Sequence, residues 1–352
     1  MSSVIDELIQ QLNANSQLQS ASHLEWVSAV NNELDEKVKN SLIIPYRYSR
    51  NFREYNSMYN LGIDSQISNF DLYVLVDDII VGFVPLTLEL NSGELSCDGE
   101  NFLFPIFARD LVKDLKFVIL SIYITSLRQI LMCTSGRRVG FQEYQMSLPK
   151  KIGGKLVEDG CQVSQREVYV KNCQGSLGDL WKTIRKSYKP LINRGLQTLE
   201  HGIVTGRSAL NYFDEFRKLH LLVSGRVTRS SSTWELQREE VRQGSSFLSY
   251  VNYSGVLAGA ALISHNEFDA LYAVGVYRRD LKHLNLGHLA QWIGIKNLNE
   301  LGVRSYRLGT LNTIGAIAPT EKEMSIARFK RGFSDRIDHE LLYSVDLTHR
   351  SY

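Results

Sequence analysis

The stretch 247–308 constrains the fold more than any other part of this chain. Phe247–Asn252 is rich in aromatic and β-branched residues, and Tyr253-Ser254-Gly255 carries turn chemistry. Val256–Ser264 reads as the partner strand, with small residues at Ala258, Gly259, Ala260 and Ala261. Ala270–Tyr277 is almost continuously apolar, as a strand buried on both faces is. A polar connection, Arg278–Asn285, leads into helical spacing at Leu286, Leu289, Ala290, Ile293, Gly294, Leu298 and Leu301. Gly302 stands where a left-handed helix end is wanted, and Val303–Leu308 returns as a strand. That order predicts a parallel crossover. The loop entering the helix carries Asn285, Leu286, Gly287 and His288. Free N–H groups at a helix start form an anion site, where a phosphorylated donor could be held.

Upstream, Val4–Leu12, His23–Val38 and Arg50–Tyr59 read as helices. Asp71–Glu89 reads as a hairpin turning at Asp77-Asp78, and Phe102–Phe107 as an edge strand or loop. Asp110–Met132 has helical spacing, and Val139–Leu148 and Gln165–Lys171 are candidate strands. Ser176 and Asp179 pattern as a capping box. They precede the apolar stripe Leu177, Leu180, Trp181, Ile184 and Tyr188, which Pro190 should end or kink. Ala209–Leu222 is helical, and Ser232 with Glu235 opens another helix that stops at Gly244. One repeat stands out. Val76–Gly82 and Tyr253–Gly259 are each a polar turn, three apolar residues and a glycine. Gly82 and Gly259 lie 177 residues apart, about half the chain, as in a tandem duplication.

Charge narrows the ligand. Residues 171–352 hold 25 Lys and Arg against 17 Asp and Glu, a balance of +8; residues 1–170 hold 15 against 21, a balance of −6. This asymmetry either places an anionic ligand with the C-terminal half or serves solubility alone. There, Arg226, Thr228, Arg229 and Trp234 suit a phosphate, carboxylate or sugar. Alternatively, the arginines pair with Glu235, Glu239 or Glu240. Arg185 and Lys186 either add to this patch or lie on a solvated helix face. His220, on an apolar helix stripe, is a core histidine or a general base. Tyr277, ending the buried strand, is a packed aromatic or a proton donor to a leaving group. The four cysteines, Cys97, Cys133, Cys161 and Cys173, show no CxxC or His pairing and read as free thiols without a metal site, as in a reducing cytoplasm. The longest apolar stretch, Phe117–Leu127, is shorter than the ~20 residues a bilayer span takes, so no span is expected. The polar N-terminus is unlike a signal peptide.

Three stretches together resemble the FemAB-like branch of the GNAT acyltransferase superfamily. They are Leu180–Tyr188 with Ile192-Asn193-Arg194, the element order of 247–308, and Ala327-Arg328-Phe329-Lys330-Arg331-Gly332-Phe333. The last is similar to that family's closing Phe-Lys-x-Gly-Phe segment. The resemblance covers residues 170–340 and implies an α/β protein of two tandem GNAT-like domains, each a mixed twisted sheet flanked by helices. The boundaries would be 1–170 and 171–352, in agreement with the repeat. It implies cytoplasmic N-acyl transfer to an amine, with direct attack on the donor and no covalent enzyme intermediate. The donor would be acyl-CoA or a related thioester; the alternative is aminoacyl-tRNA, as in FemAB proteins. Its pyrophosphate would rest on Asn285–His288, although of the family's Arg/Gln-x-x-Gly-x-Gly/Ala pattern this chain keeps Gly287 alone. The acceptor would be an amino sugar, an amino acid, or a glycan or peptide precursor of the cell envelope. A third reading is a non-catalytic module that binds glycan or peptide. The resemblance assigns Lys330 to transition-state charge, where a positioned cation lowers the barrier to carbonyl attack. The alternative is a solvated run of Arg328, Lys330, Arg331 and Arg336. Phe329 and Phe333, at i and i+4, would pin the segment.

Overall fold

The computed structural model describes residues 2–18, 24–29, 41–62, 64–134, 138–144, 150–314 and 318–346. The first half runs α1 (Ser2–Leu18), β1 (Leu24–Ala29), α2 (Arg50–Leu61), β2 (Ile67–Val76), β3 (Ile79–Glu89), β4 (Leu95–Ser96), β5 (Phe102–Leu103), β6 (Ile106–Phe107), α3 (Lys113–Thr134), β7 (Arg138–Gln142), α4 (Lys150–Glu158) and β8 (Gln162–Asn172). The second runs α5 (Leu177–Thr183), α6 (Lys189–Thr198), β9 (Glu200–Val204), α7 (Leu210–Ser224), α8 (Ser231–Gln243), β10 (Ser246–Tyr253), β11 (Val256–His265), β12 (Asp269–Tyr277), α9 (Leu286–Glu300), β13 (Ser305–Ile314), α10 (Glu321–Arg331) and β14 (Arg336–Asp346). Strands β1-β2-β3-β4 form one sheet, with β6 also paired to β3. The other has nine strands in the order β5-β7-β14-β8-β13-β12-β11-β10-β9. Because β14 pairs with β7 on one side and β8 on the other, this sheet is continuous between the halves.

The repeat seen in sequence recurs in the backbone. Asp77 and Asp78 turn the first hairpin with φ of 48° and 64°, and Ser254 and Gly255 turn the second with 53° and 73°. Consecutive left-handed residues are what a two-residue hairpin loop requires. In the first, Val74 pairs with Gly82 and Leu75 with Ile80, so Val81 bulges. In the second, Val251 pairs with Gly259 and Asn252 with Leu257, so Ala258 bulges. Each of these positions is offset by the same 177 residues. The equivalence extends to the next strand: Gly82 faces Phe107, and Gly259 faces Tyr277.

Three local readings change. Leu24–Ala29 is a strand rather than helix, because Leu24 and Trp26 are buried and Glu25 is exposed, a period of two that pairs with β2; residues 30–38 of that expected helix lie outside the described residues. The stripe through Tyr188 breaks at Ile184, and Pro190 opens α6 instead of ending a helix, since its missing N–H costs nothing in a first turn. The cap of α8 is Ser230, which accepts from the Thr233 N–H, so Ser232 and Glu235 lie inside the helix. The Ser176 cap on α5 forms as expected. Helix α3 is long and apolar enough to cross a bilayer by length and composition, beyond the shorter Phe117–Leu127 stretch, and more than half of its apolar window is buried here.

Neighbouring residues of β10, β11 and β12 alternate between two cores. Phe247, Ala258, Ala261 and Ile263 join α9 and α6 on one face, with Tyr272, Tyr277 and Phe329. Leu248, Leu257, Ala260, Leu262, Val274 and Val276 join α7 and α8 on the other.

Candidate active site

Strands β12 and β13 pair in parallel over three residues only: Asp269 with Ser305, Ala270 with Tyr306, and Leu271 with Arg307. Both then bulge, β12 at Ala273 against β11 and β13 at Leu308 against β8. A bulge sharpens bend and twist, so the strands diverge and their facing edges are left unpaired with each other. The opening lies between Tyr272 and Gly309.

Gly309 on β13, Gly275 on β12, Gly259 on β11 and Gly287 on α9 each give side-chain space to a neighbour. A Cβ on Gly309 would collide with Lys330 Nζ, and one on Gly275 with the Tyr272 hydroxyl. A Cβ on Gly259 would lie 2.6 Å from the Tyr277 ring, and one on Gly287 would lie 3.2 Å from the same ring and 3.4 Å from Phe329. Gly309 also has φ of 133°, which suits glycine.

Lys330 lies 5.9 Å from the centre of the Tyr272 ring. Among the described residues no carboxylate pairs with its ammonium, and burial pushes its pKa down. Tyr272 and Tyr277 share a hydrogen bond of 3.1 Å. Behind them Tyr306 donates to the side-chain oxygen of the fully buried Gln291 at 2.9 Å. Burial raises all three tyrosines above their usual pKa, so they remain protonated donors at neutral pH.

The closing segment is held as its aromatic spacing suggests. Phe329 and Phe333 pack edge to face, their ring centres 5.4 Å apart. Tyr188 packs on Phe333 at 5.2 Å and donates to the carbonyls of Arg328 and Phe329. His288 completes the box, 4.4 Å from Tyr188 and 5.2 Å from Phe329, with its pKa lowered to about 4 by burial. The three stretches singled out in sequence therefore meet here. Asn285 caps α9 in the left-handed conformation, and the Leu286 and Gly287 N–H groups stand in the first turn. Arg185 is exposed, its guanidinium 5.6 Å from the Tyr188 ring, and Lys186 is exposed beside it.

His220, Arg226, Thr228, Arg229 and Trp234 gather elsewhere, in a cleft of about 620 Å³ on the α7–α8 face, across the sheet from Lys330. His220 packs edge to face with Trp234, ring centres 5.1 Å apart. Arg229 packs over Trp234 at 4.7 Å and donates to the Tyr55 hydroxyl at 2.7 Å, tying α8 to α2.

Sequence reasoning did not single out Tyr272, Gln291, Tyr306 or Gly309. It also missed a polar seam between the halves. There the Tyr46 backbone donates to Asp269, its hydroxyl donates to Glu240 at 2.8 Å, and Arg166 and Arg307 both donate to the buried Glu340. Two small cavities of about 160 and 180 Å³ flank this seam, both touching Tyr46, Phe52, Asn56 and Leu271. The first reaches Gly309 and the second Tyr272.

No family model and no curated protein matches the chain. Among solved structures it is similar to the crystal structure of FemX, with a TM-score of 0.64 at 13% identity over 92% of this chain and 98% of that one. It is similar also to a conserved protein of unknown function from Bacteroides thetaiotaomicron, with a TM-score of 0.55 at 10% identity over 88% and 96%. A tandem GNAT protein from the clavulanic acid biosynthesis pathway gives 0.48 at 12% over 93% and 100%. These likenesses are of fold: the chain is α/β, with mixed sheets flanked by helices and the same bulged hairpin in each half.

Proposed function

We propose that the chain transfers an acyl or aminoacyl group to an amine at the opening between β12 and β13. The observation that carries this reading is Lys330, an ammonium without a carboxylate partner among the described residues, seated over Gly309 where the strands diverge. A carbonyl placed there would develop its negative charge beside a cation already in position, with no reorganisation at the moment of attack. The tyrosine pair offers a hydroxyl proton to the departing group. The first turn of α9, at Leu286 and Gly287, would receive a phosphate of the donor from one side. The amine would enter from the other side, through the cavities beside Tyr46, Phe52 and Asn56.

The preferred donor is an acyl thioester such as acyl-CoA, and the acceptor an amine of a small molecule or cell-envelope precursor in the cytoplasm. A second reading, the FemAB-like one, takes an aminoacyl ester of tRNA. The donor loop favours it, since Lys282–Leu284 forms a single tight turn and Gly287 is the loop's one glycine. The test is incubation with labelled acyl-CoAs and, separately, labelled aminoacyl-tRNAs, with a panel of amines, followed by mass analysis of products. Transfer from either donor class supports the reading and chooses the donor. Absence of N-acylated product with both classes would remove it.

A further inference from the structure

We infer that the tip of the α7–α8 hairpin docks on an anionic phospholipid surface. The inference is independent of the reaction proposed above. Helix α7 ends at Gly225 in the left-handed conformation, and the chain turns back within a few residues to the Ser230 cap of α8. At this turn Leu221 is 51% exposed, and Leu222 and Val227 are each 75% exposed. Three aliphatic side chains within seven residues stand clear of the core that Phe213, Phe216 and Leu219 of the same helix enter. Exposed apolar clusters of this kind mark interaction surfaces.

Cations flank the apolar tip. Lys218 and Arg226 are exposed and line the same cleft as Leu221 and Val227, and among the described residues neither is in an ion pair. The carboxylate in that lining, Asp214, is held by Arg238 at 3.3 Å, and Glu235 by Arg217 at 3.4 Å. Aliphatic side chains at an apex with ammonium and guanidinium groups behind them match a bilayer's layering of acyl chains beneath phosphate headgroups. A nucleic acid would meet the cations but leave Leu222 and Val227 in water.

The test is co-sedimentation of the full chain with phosphatidylcholine vesicles and with vesicles in which phosphatidylglycerol replaces part of the phosphatidylcholine. Binding is expected only with the anionic vesicles. Leu222→Asp and Val227→Asp, both at exposed positions and checked by thermal unfolding, should each weaken it by about tenfold. Lys218→Glu with Arg226→Glu should abolish the preference for phosphatidylglycerol. Failure to pellet with anionic vesicles would overturn the inference. So would binding that survives both Asp variants, retention of bulk RNA that depends on Arg226 but not on Leu222, or a dimer in solution that Leu222→Asp dissolves.

Discussion

The ammonium of Lys330 occupies the space that a side chain at residue 309 would fill. Residue 309 and the lysine belong to different elements, β13 and the end of α10, so the absence of one side chain positions the other. Gly309→Ala should displace Nζ and impose strain at φ 133°, on the order of 1–3 kcal/mol. It is expected to lower kcat nearly as far as removal of the lysine, although no titratable group changes. Kinetics together with thermal unfolding check this; full activity in a folded Gly309→Ala variant would separate the two residues.

The tyrosine pair gives a second expectation. Tyr272 and Tyr277 have pKa values raised by burial, so each keeps its hydroxyl proton at neutral pH. Whichever hydroxyl reaches the departing group should cost about 10²-fold in kcat when replaced by Phe. The other should cost only a few-fold, and no alkaline limb below pH 10 should arise from this pair. Two Phe variants with wild-type kcat would leave the pair structural.

Arg229 and Arg226 should part company. Arg229→Lys loses a planar contact with Trp234 and the bond to Tyr55, a loss on the order of 1–2 kcal/mol of stability. Arg226→Lys, at an exposed site, should stay within about 0.5 kcal/mol. Denaturant midpoints read the difference directly, and equal midpoints would count against the tie between α2 and α8.

Much of this arrangement was legible in the residues, and the failures have physical causes. The hairpin at Ser254-Gly255, the crossover through α9 and the Phe329–Phe333 spacing are local patterns, and each formed as read. Leu24–Ala29 was misread because six residues alternate too briefly to stand out from a helix-like neighbourhood. Arg226, Thr228, Arg229 and Trp234, close in sequence, do share one cleft, but its separation from Lys330 depends on which face of β11 and β12 each helix covers. Gly309 and Gln291 carried no signal. A glycine in a strand and a glutamine in an apolar helix gain meaning only when Lys330 and the tyrosines arrive from distant segments.

His288 makes the packing of the closing segment measurable by pH. Its pKa is lowered to about 4 in the folded chain against an ordinary value near 6.5. Between those values the unfolded chain binds a proton that the folded one does not, so stability falls as pH drops from about 6.5 to 4. His288→Phe should flatten that part of the melting-temperature profile. A profile unchanged by the substitution would place the imidazole outside the aromatic box.

The most direct test of the central claim is steady-state kinetics of Lys330→Met, with donor and acceptor varied separately. If the ammonium acts on charge that appears only as the amine attacks, kcat should fall by about 10²–10³ with each KM nearly unchanged. Lys330→Arg should restore only part of the rate, because the wider guanidinium sets its charge elsewhere. A kcat within about twofold of wild type in the folded Met variant, or a change confined to the donor KM, would contradict the claim that Lys330 stabilises the transition state.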